Sequence, residues 1–163
     1  MTDAVEPTVE TGEQPTGPFF RVLAQYVKDL SFENPRAPES MRLESKPEID
    51  MGVEMNAKGR ADGLFEVDMQ LSIKASSAEG PLFQVELVYG GIFQVGGVDD
   101  TTLEPMLLVE APRYLFPFAR EIVAKCSSDG GFYPPFLVEP IDFAAIYAAR
   151  KASGGDGITV GNA

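Results

Sequence analysis

The chain has 163 residues, 13 basic and 25 acidic side chains and a formal charge of −12, so it is one domain's worth of polypeptide whose surface repels nucleic-acid phosphates and anionic membranes. Histidine is absent, which removes the usual neutral-pH proton carrier and with it His-dependent triads and His-rich metal sites. Cys126 is the single cysteine and allows no internal disulfide, residues 1–18 have neither the basic start nor the apolar run of an export signal, and no window is apolar enough for a membrane span, so a cytoplasmic protein is expected.

Residues 1–18 are rich in Thr, Glu, Gly and Pro and read as a disordered acidic arm; residues 152–163 are glycine-dense and read as a flexible tail. The ordered domain is expected over 19–151. Residues 19–32 carry bulky and β-branched side chains that predict a strand, although RVLAQYVKDL also fits a short helix. Pro35, Pro38 and Pro47 then hold residues 33–47 extended as a long crossover. Residues 48–57 alternate, with Ile49, Met51, Val53 and Met55 on one face and Glu48, Asp50, Glu54 and Asn56 opposite. Residues 64–75 alternate more cleanly, turning Phe65, Val67, Met69, Leu71 and Ile73 inward and Glu66, Asp68, Gln70, Ser72 and Lys74 outward.

A hairpin loop over 75–81 leads into residues 82–95, LFQVELVYGGIFQV, which place Phe83, Val85, Leu87, Tyr89 and Phe93 on one face and Leu82, Val88 and Ile92 on the other. Two apolar faces imply cover on both sides. Either this is a buried central strand, or the second face meets partner subunits or takes up apolar chains. Four strands in succession predict an antiparallel meander.

The period changes after Gly97. Residues 101–110 predict a helix capped from residues 99–102 with Pro105 in its first turn, and 112–128 predict a second, with Leu115, Phe118, Ala119, Ile122, Val123 and Cys126 on its buried stripe. There Cys126 reads as an inert buried thiol. FYPPFLVEP, residues 132–140, is too proline-rich for regular structure and reads as an extended strap across the domain. Asp142 caps a last helix, 143–151.

No motif in this order carries catalysis. The glycines of YGGIFQVGGV lack both the dinucleotide spacing and a following Lys-Ser/Thr, and read as sites of bending or close backbone approach. Glu66 and Asp68 lie near each other on an exposed strand face, and a hydrolase built on such a pair is the alternative from another class. The expectation is no enzyme and no cofactor.

YVKDLSFENPRAP at 26–38, YGGIFQVGGV at 89–98, LFPFARE at 115–121 and GGFYPPFLVEPIDFAAIY at 130–147 occur in this order and together resemble the SecB family of bacterial protein-export chaperones. The resemblance runs from about residue 19 to 151. It implies an α+β fold, a four-stranded antiparallel sheet with helices packed on one face, assembled as a homotetramer, a dimer of dimers. It further implies an ATP-independent chaperone that holds newly made precursor polypeptides unfolded and delivers them to the SecA motor, with no nucleic acid and no direct membrane insertion. Carried onto this sequence, the acidic positions that dock the basic, zinc-bearing tail of SecA are Asp29, Glu33 and Glu86, the zinc belonging to the partner. Gln84 stands where the family often has an aliphatic residue. Client grooves are expected to be lined by Ile49, Met51 and Val53, by Phe143 of the last helix, and by Met41 and Leu43 of the crossover, which lacks the tryptophan often found there. A SecB-like chaperone controlling a toxin–antitoxin pair is the rival within the same family.

Overall fold

The computed structural model describes residues 15–155 and 159–160. Most of the arm expected over 1–18, and residues 156–158 and 161–163 of the expected tail, lie outside the described residues.

Four long strands, β1 (Phe19–Glu33), β2 (Glu48–Gly59), β3 (Leu64–Ser77) and β4 (Gly80–Gly96), precede the helices, and a two-residue strand, β5 (Thr159–Val160), comes last. The sheet order is β1-β4-β3-β2-β5. The long strands pair antiparallel, whereas β5 runs parallel to β2 at Lys58 and Gly59, within the segment expected to be a loose tail. The expected meander therefore holds for β2, β3 and β4, but β1 lies beside β4 and not beside β2. The proline-bearing residues 34–47 make this possible, because an extended segment readily crosses the three inter-strand spacings, roughly 15 Å, between the two edges. The β3–β4 hairpin is tighter than expected: Ser77 already pairs with Gly80.

Inward residues of β3 and β4 form the core floor: Val67, Met69, Leu71, Ile73, Val85, Leu87 and Phe93 are all sealed from solvent. Leu82 was expected on the opposite face, yet it is buried with Phe83. A register slip at Ala75/Ser76 pairs Ser76 with Pro81 and Ala75 with Phe83, so Leu82 is the extra residue of a bulge and turns inward. Outward, β4 then carries only Val88 and Ile92 as apolar side chains, both half-buried, among Gln84, Glu86 and Gln94.

The two helices expected over 101–110 and 112–128 are one helical run. α1 (Asp100–Pro105) passes through a π-helical turn, Met106–Glu110, into α2 (Ala111–Asp129). Pro105 has no N–H to give to the ladder, and the helix widens directly after it instead of ending. Asp99 caps the start, accepting from the Thr102 amide at 2.8 Å. Leu107, Leu108, Leu115, Ala119 and Val123 press onto the sheet, but Phe118 of the expected stripe is 51% exposed and stacks on Tyr89 at the margin. Cys126 is half-buried, and burial pushes its thiol above the ordinary cysteine range. Gly91 lets α2 approach closely: a Cβ there would sit 3.0 Å from the Ala24 carbonyl and 3.1 Å from Leu115. α3 (Phe143–Ala152) starts at Asp142, which accepts from the Ala145 amide at 3.0 Å.

Candidate functional site

The helix-side face of the sheet is not covered to its edge. Ile49, Met51 and Val53 share that face with buried Ala75, Ile73 and Leu71, their register partners on β3. Ile49 and Met51 are 41% and 40% exposed, and Val53 is half-buried. Beside them opens an apolar cleft of about 320 Å³, walled by Leu43, Pro47 and Ile49 on one side and by Phe132, Tyr133, Phe136 and Leu137 on the other, with Leu82 and Phe83 as floor. Two of the expected client residues, Leu43 and Ile49, thus line one cavity.

Both walls are tied down. Asn34 donates to the Gly130 carbonyl at 3.0 Å and accepts from buried Ser40 at 2.6 Å, and Met41 lies against Gly131. On the strap, the Phe136 amide donates to Ser127 Oγ at 2.8 Å, and Arg120 donates to the Val138 carbonyl at 2.8 Å. The strap thereby has the extended course expected of it. Its aromatics were legible as needing cover, but nothing in their spacing placed them opposite Ile49. Val53 borders a second opening, of about 350 Å³, with Glu54, Met55, Asn56, Ile146 and Arg150, where Arg150 donates to the Met55 carbonyl at 2.7 Å.

Phe143 belongs to neither opening. It is 2% exposed and packs edge-on against Phe116, so within this subunit it is core. Helical spacing marks Phe143, Ile146 and Tyr147 as one apolar face, and the first of these is the one driven deepest.

The opposite face of the sheet is polar and brings the three expected docking carboxylates together. Across β1 and β4, Asp29 pairs with Val88, Ser31 with Glu86 and Glu33 with Gln84. Glu86 is therefore the diagonal neighbour of both Asp29 and Glu33, a spacing of roughly 7–8 Å in a regular ladder. Glu86 Oε1 accepts from Ser72 Oγ at 2.9 Å and from Gln84 Nε2 at 3.2 Å. Gln84 thus orients the carboxylate beside it.

Further along this face the Lys28 ammonium reaches Glu66 at 2.9 Å and Asp68 at 2.8 Å, and Tyr26 donates to Glu66 at 2.6 Å. Hydrogen bonds to Asp68 and Glu66 hold Lys28 above the ordinary lysine range, and those from Lys28 and Tyr26 hold Glu66 below the ordinary carboxylate range. Burial, with the hydrogen bond to Glu66, pushes Tyr26 up to about 12. Glu66, held below the ordinary carboxylate range in this way, is not poised to exchange protons near neutrality. Among the described residues no three His, Cys, Asp or Glu side chains come together as a metal cage, and no helix is long and apolar enough to cross a membrane.

A third surface has no counterpart in the local sequence pattern. Leu23, Val27 and Leu30 of β1 and Tyr114 and Phe118 of α2 are each 42–52% exposed. They form an apolar margin along the sheet edge opposite β2.

A family model described as preprotein translocase subunit SecB matches residues 13–154. Curated relatives named protein-export protein SecB, from Caulobacter sp. (strain K31) and Caulobacter vibrioides, are each 53% identical over the full length of both chains. One from Hyphomonas neptunium is 48% identical over 96% of this chain and 98% of its own. Among solved structures, the SecB-like chaperone of Mycobacterium tuberculosis, determined with a peptide from an antitoxin, superimposes with a TM-score of 0.60 at 16% identity, over 75% of this chain and 90% of that one. That likeness is one of fold: a four-stranded antiparallel sheet with the helices on one side.

Proposed function

The chain belongs to the SecB family, and from that premise we propose that it is an ATP-independent export chaperone of the cytoplasm, holding unfolded precursors in the apolar cleft and delivering them to SecA through its acidic sheet face. The observation that carries this reading is the cleft between crossover and strap, continuous with exposed Ile49 and Met51. Extended apolar contact at roughly 25 cal/mol per Å² offsets the ordering of a bound chain without requiring a sequence motif. Methionines 41 and 51 at the margin suit varied side chains. The reading assigns no catalytic residue and no cofactor to this protein. Its test is direct: excess protein slows refolding of an unfolded precursor with no nucleotide present, and unaffected refolding refutes client holding.

For docking, Asp29, Glu33 and Glu86 present negative charge to the basic, zinc-bearing tail of SecA, where several exposed contacts add up and steer encounter. Glu86→Lys is expected to weaken SecA binding while leaving assembly intact. Unchanged affinity removes the assignment. The apolar margin of β1 and α2 supports self-association, and a dimer of dimers would repeat the acidic face on each subunit. Relatives at 53% identity named protein-export protein SecB favour this role over antitoxin control, since the antitoxin-bound neighbour shares only 16% of residues.

A further inference from the structure

We propose that Lys28 is a positioning residue for the acidic docking face: it staples the β1 bulge that turns Asp29 and Glu33 outward. The inference rests on the docking reading above and concerns what makes that face possible.

Strand alternation alone puts these carboxylates on the wrong side. Tyr26 faces outward opposite Gly90 and Val27 inward opposite Tyr89, so a regular strand would carry Asp29, Ser31 and Glu33 inward and Leu30 and Phe32 into water. The register instead skips a residue between Val27 and Asp29. Lys28 is the extra residue. After it Asp29 stands opposite Val88 on the outer face, while Leu30 and Phe32 return inward opposite Leu87 and Val85.

Of the two unpaired residues of β1, Leu23 is left open to solvent, whereas Lys28 is fixed across two strands. Its side chain leaves β1, passes over β4 and ends on Glu66 and Asp68 of β3. The lane it crosses is kept open by Gly90: a Cβ there would lie 2.6 Å from Asp68 Oδ1, 3.0 Å from the Tyr26 ring and 3.3 Å from Lys28 Cδ. Asp68 Oδ1 is buried in that lane and has no hydrogen-bond partner among the described residues, which leaves Lys28, on the other oxygen, as its compensating charge. Tyr26 closes the flank through Glu66. Lysine, glycine and carboxylate pair thus form one device.

Charge and position predict opposite signs, which makes the proposal testable. Lys28→Met makes the face more negative, so simple steering predicts tighter binding of a basic partner. Loss of the staple predicts weaker binding, by about tenfold or more, with Lys28→Arg recovering most of it. The experiment titrates SecA onto full-length protein carrying Lys28→Met, Lys28→Arg or the charge-neutral Gly90→Ala, which obstructs the lane. Amide hydrogen exchange across residues 27–33 is followed in parallel. Weaker binding and faster exchange in Lys28→Met and Gly90→Ala support the proposal. Equal or tighter binding, or an unchanged exchange pattern, overturns it. Should Lys28→Met fail to fold, Gly90→Ala decides by the same two readouts. If Glu86→Lys leaves SecA binding untouched, the docking reading falls by itself, and the exchange pattern alone decides whether Lys28 holds the bulge.

Discussion

The sharpest perturbation of client holding is the pair Ile49→Thr and Met51→Gln, which removes apolar character from the open part of β2 and keeps the β-branch at 49 and the side-chain length at 51. These side chains are 41% and 40% exposed, so about two-fifths of each is available to a bound chain. Full burial of such a side chain is worth about 1.5–3 kcal/mol, so covering the remaining two-fifths contributes about 1 kcal/mol each and about 2 kcal/mol together. At 1.4 kcal/mol per tenfold, that is a loss of roughly 30-fold in client affinity. The assay is the concentration of protein that halves the refolding rate of a precursor without nucleotide, with light scattering to verify that assembly is unchanged. A double variant that holds clients as well as its parent would refute the placement of the groove on this strand, because no other β2 side chain on that face is as open.

Ser127→Ala should loosen the strap, because it leaves the Phe136 amide without its acceptor in a part-buried setting; a cost of about 1 kcal/mol is expected in urea unfolding, with weakened client holding alongside. Phe118→Glu, at the apolar margin, should weaken self-association by at least about tenfold, seen as smaller species in size-exclusion light scattering on dilution. Acid should erode the Lys28–Glu66 contact. Glu66 is depressed in the folded state, so its contribution is present above the unfolded carboxylate range near about pH 4.3 and is lost as pH falls through the folded value. Lys28 is raised, so its share is complete below the ordinary lysine range and lost only in strong alkali. The stability gap between the parent and Lys28→Met should therefore be constant around neutrality and narrow below about pH 4; the gap is modest, since Lys28 is more than a third exposed, and urea unfolding at both pH values measures it.

What was legible in the sequence follows from where periodicity survives. β2 and β3 were readable because neither is bulged within its alternating stretch, so every second residue keeps its face. β1 was ambiguous for a physical reason: Leu23 and Lys28 are each an extra residue at a register slip, and two slips in fifteen residues break the alternation that separates strand from helix. Leu82 was misplaced by the same device at the other end of β4. The expected break between the two helices lies at Pro112, a residue type that favours a helix start, whereas here Pro112 lies just past the π turn Met106–Glu110 within one continuous run. In the cleft, Leu43 and Ile49 were named in advance, but Phe132, Tyr133 and Phe136 depend on a tertiary placement that local spacing does not encode. Phe143 is a groove residue only by the family resemblance, and within this subunit its side chain is packed in the core; helical spacing gives its face and not its depth.

The departure from a meander bears most on the docking site. In a simple meander β1 would lie beside β2, and β4, with Glu86, would be three strands away from Asp29 and Glu33. The observed order sets β1 against β4, with Glu86 opposite Ser31 and diagonal to both other carboxylates. The same pairing puts Val85 and Leu87, the immediate neighbours of Glu86, on the buried face opposite Phe32 and Leu30. Each strand is thereby read twice, its acidic side chains on the outer face and its apolar ones on the helix side, where Val85 and Leu87 are sealed and Leu30 reaches the exposed margin. A one-residue slip anywhere between Val27 and Glu33 would therefore cost the proposed docking surface and the packing beneath it together. Substitutions that keep every carboxylate but shift this register should thus damage SecA binding and stability in parallel, whereas Glu86→Lys should damage binding alone.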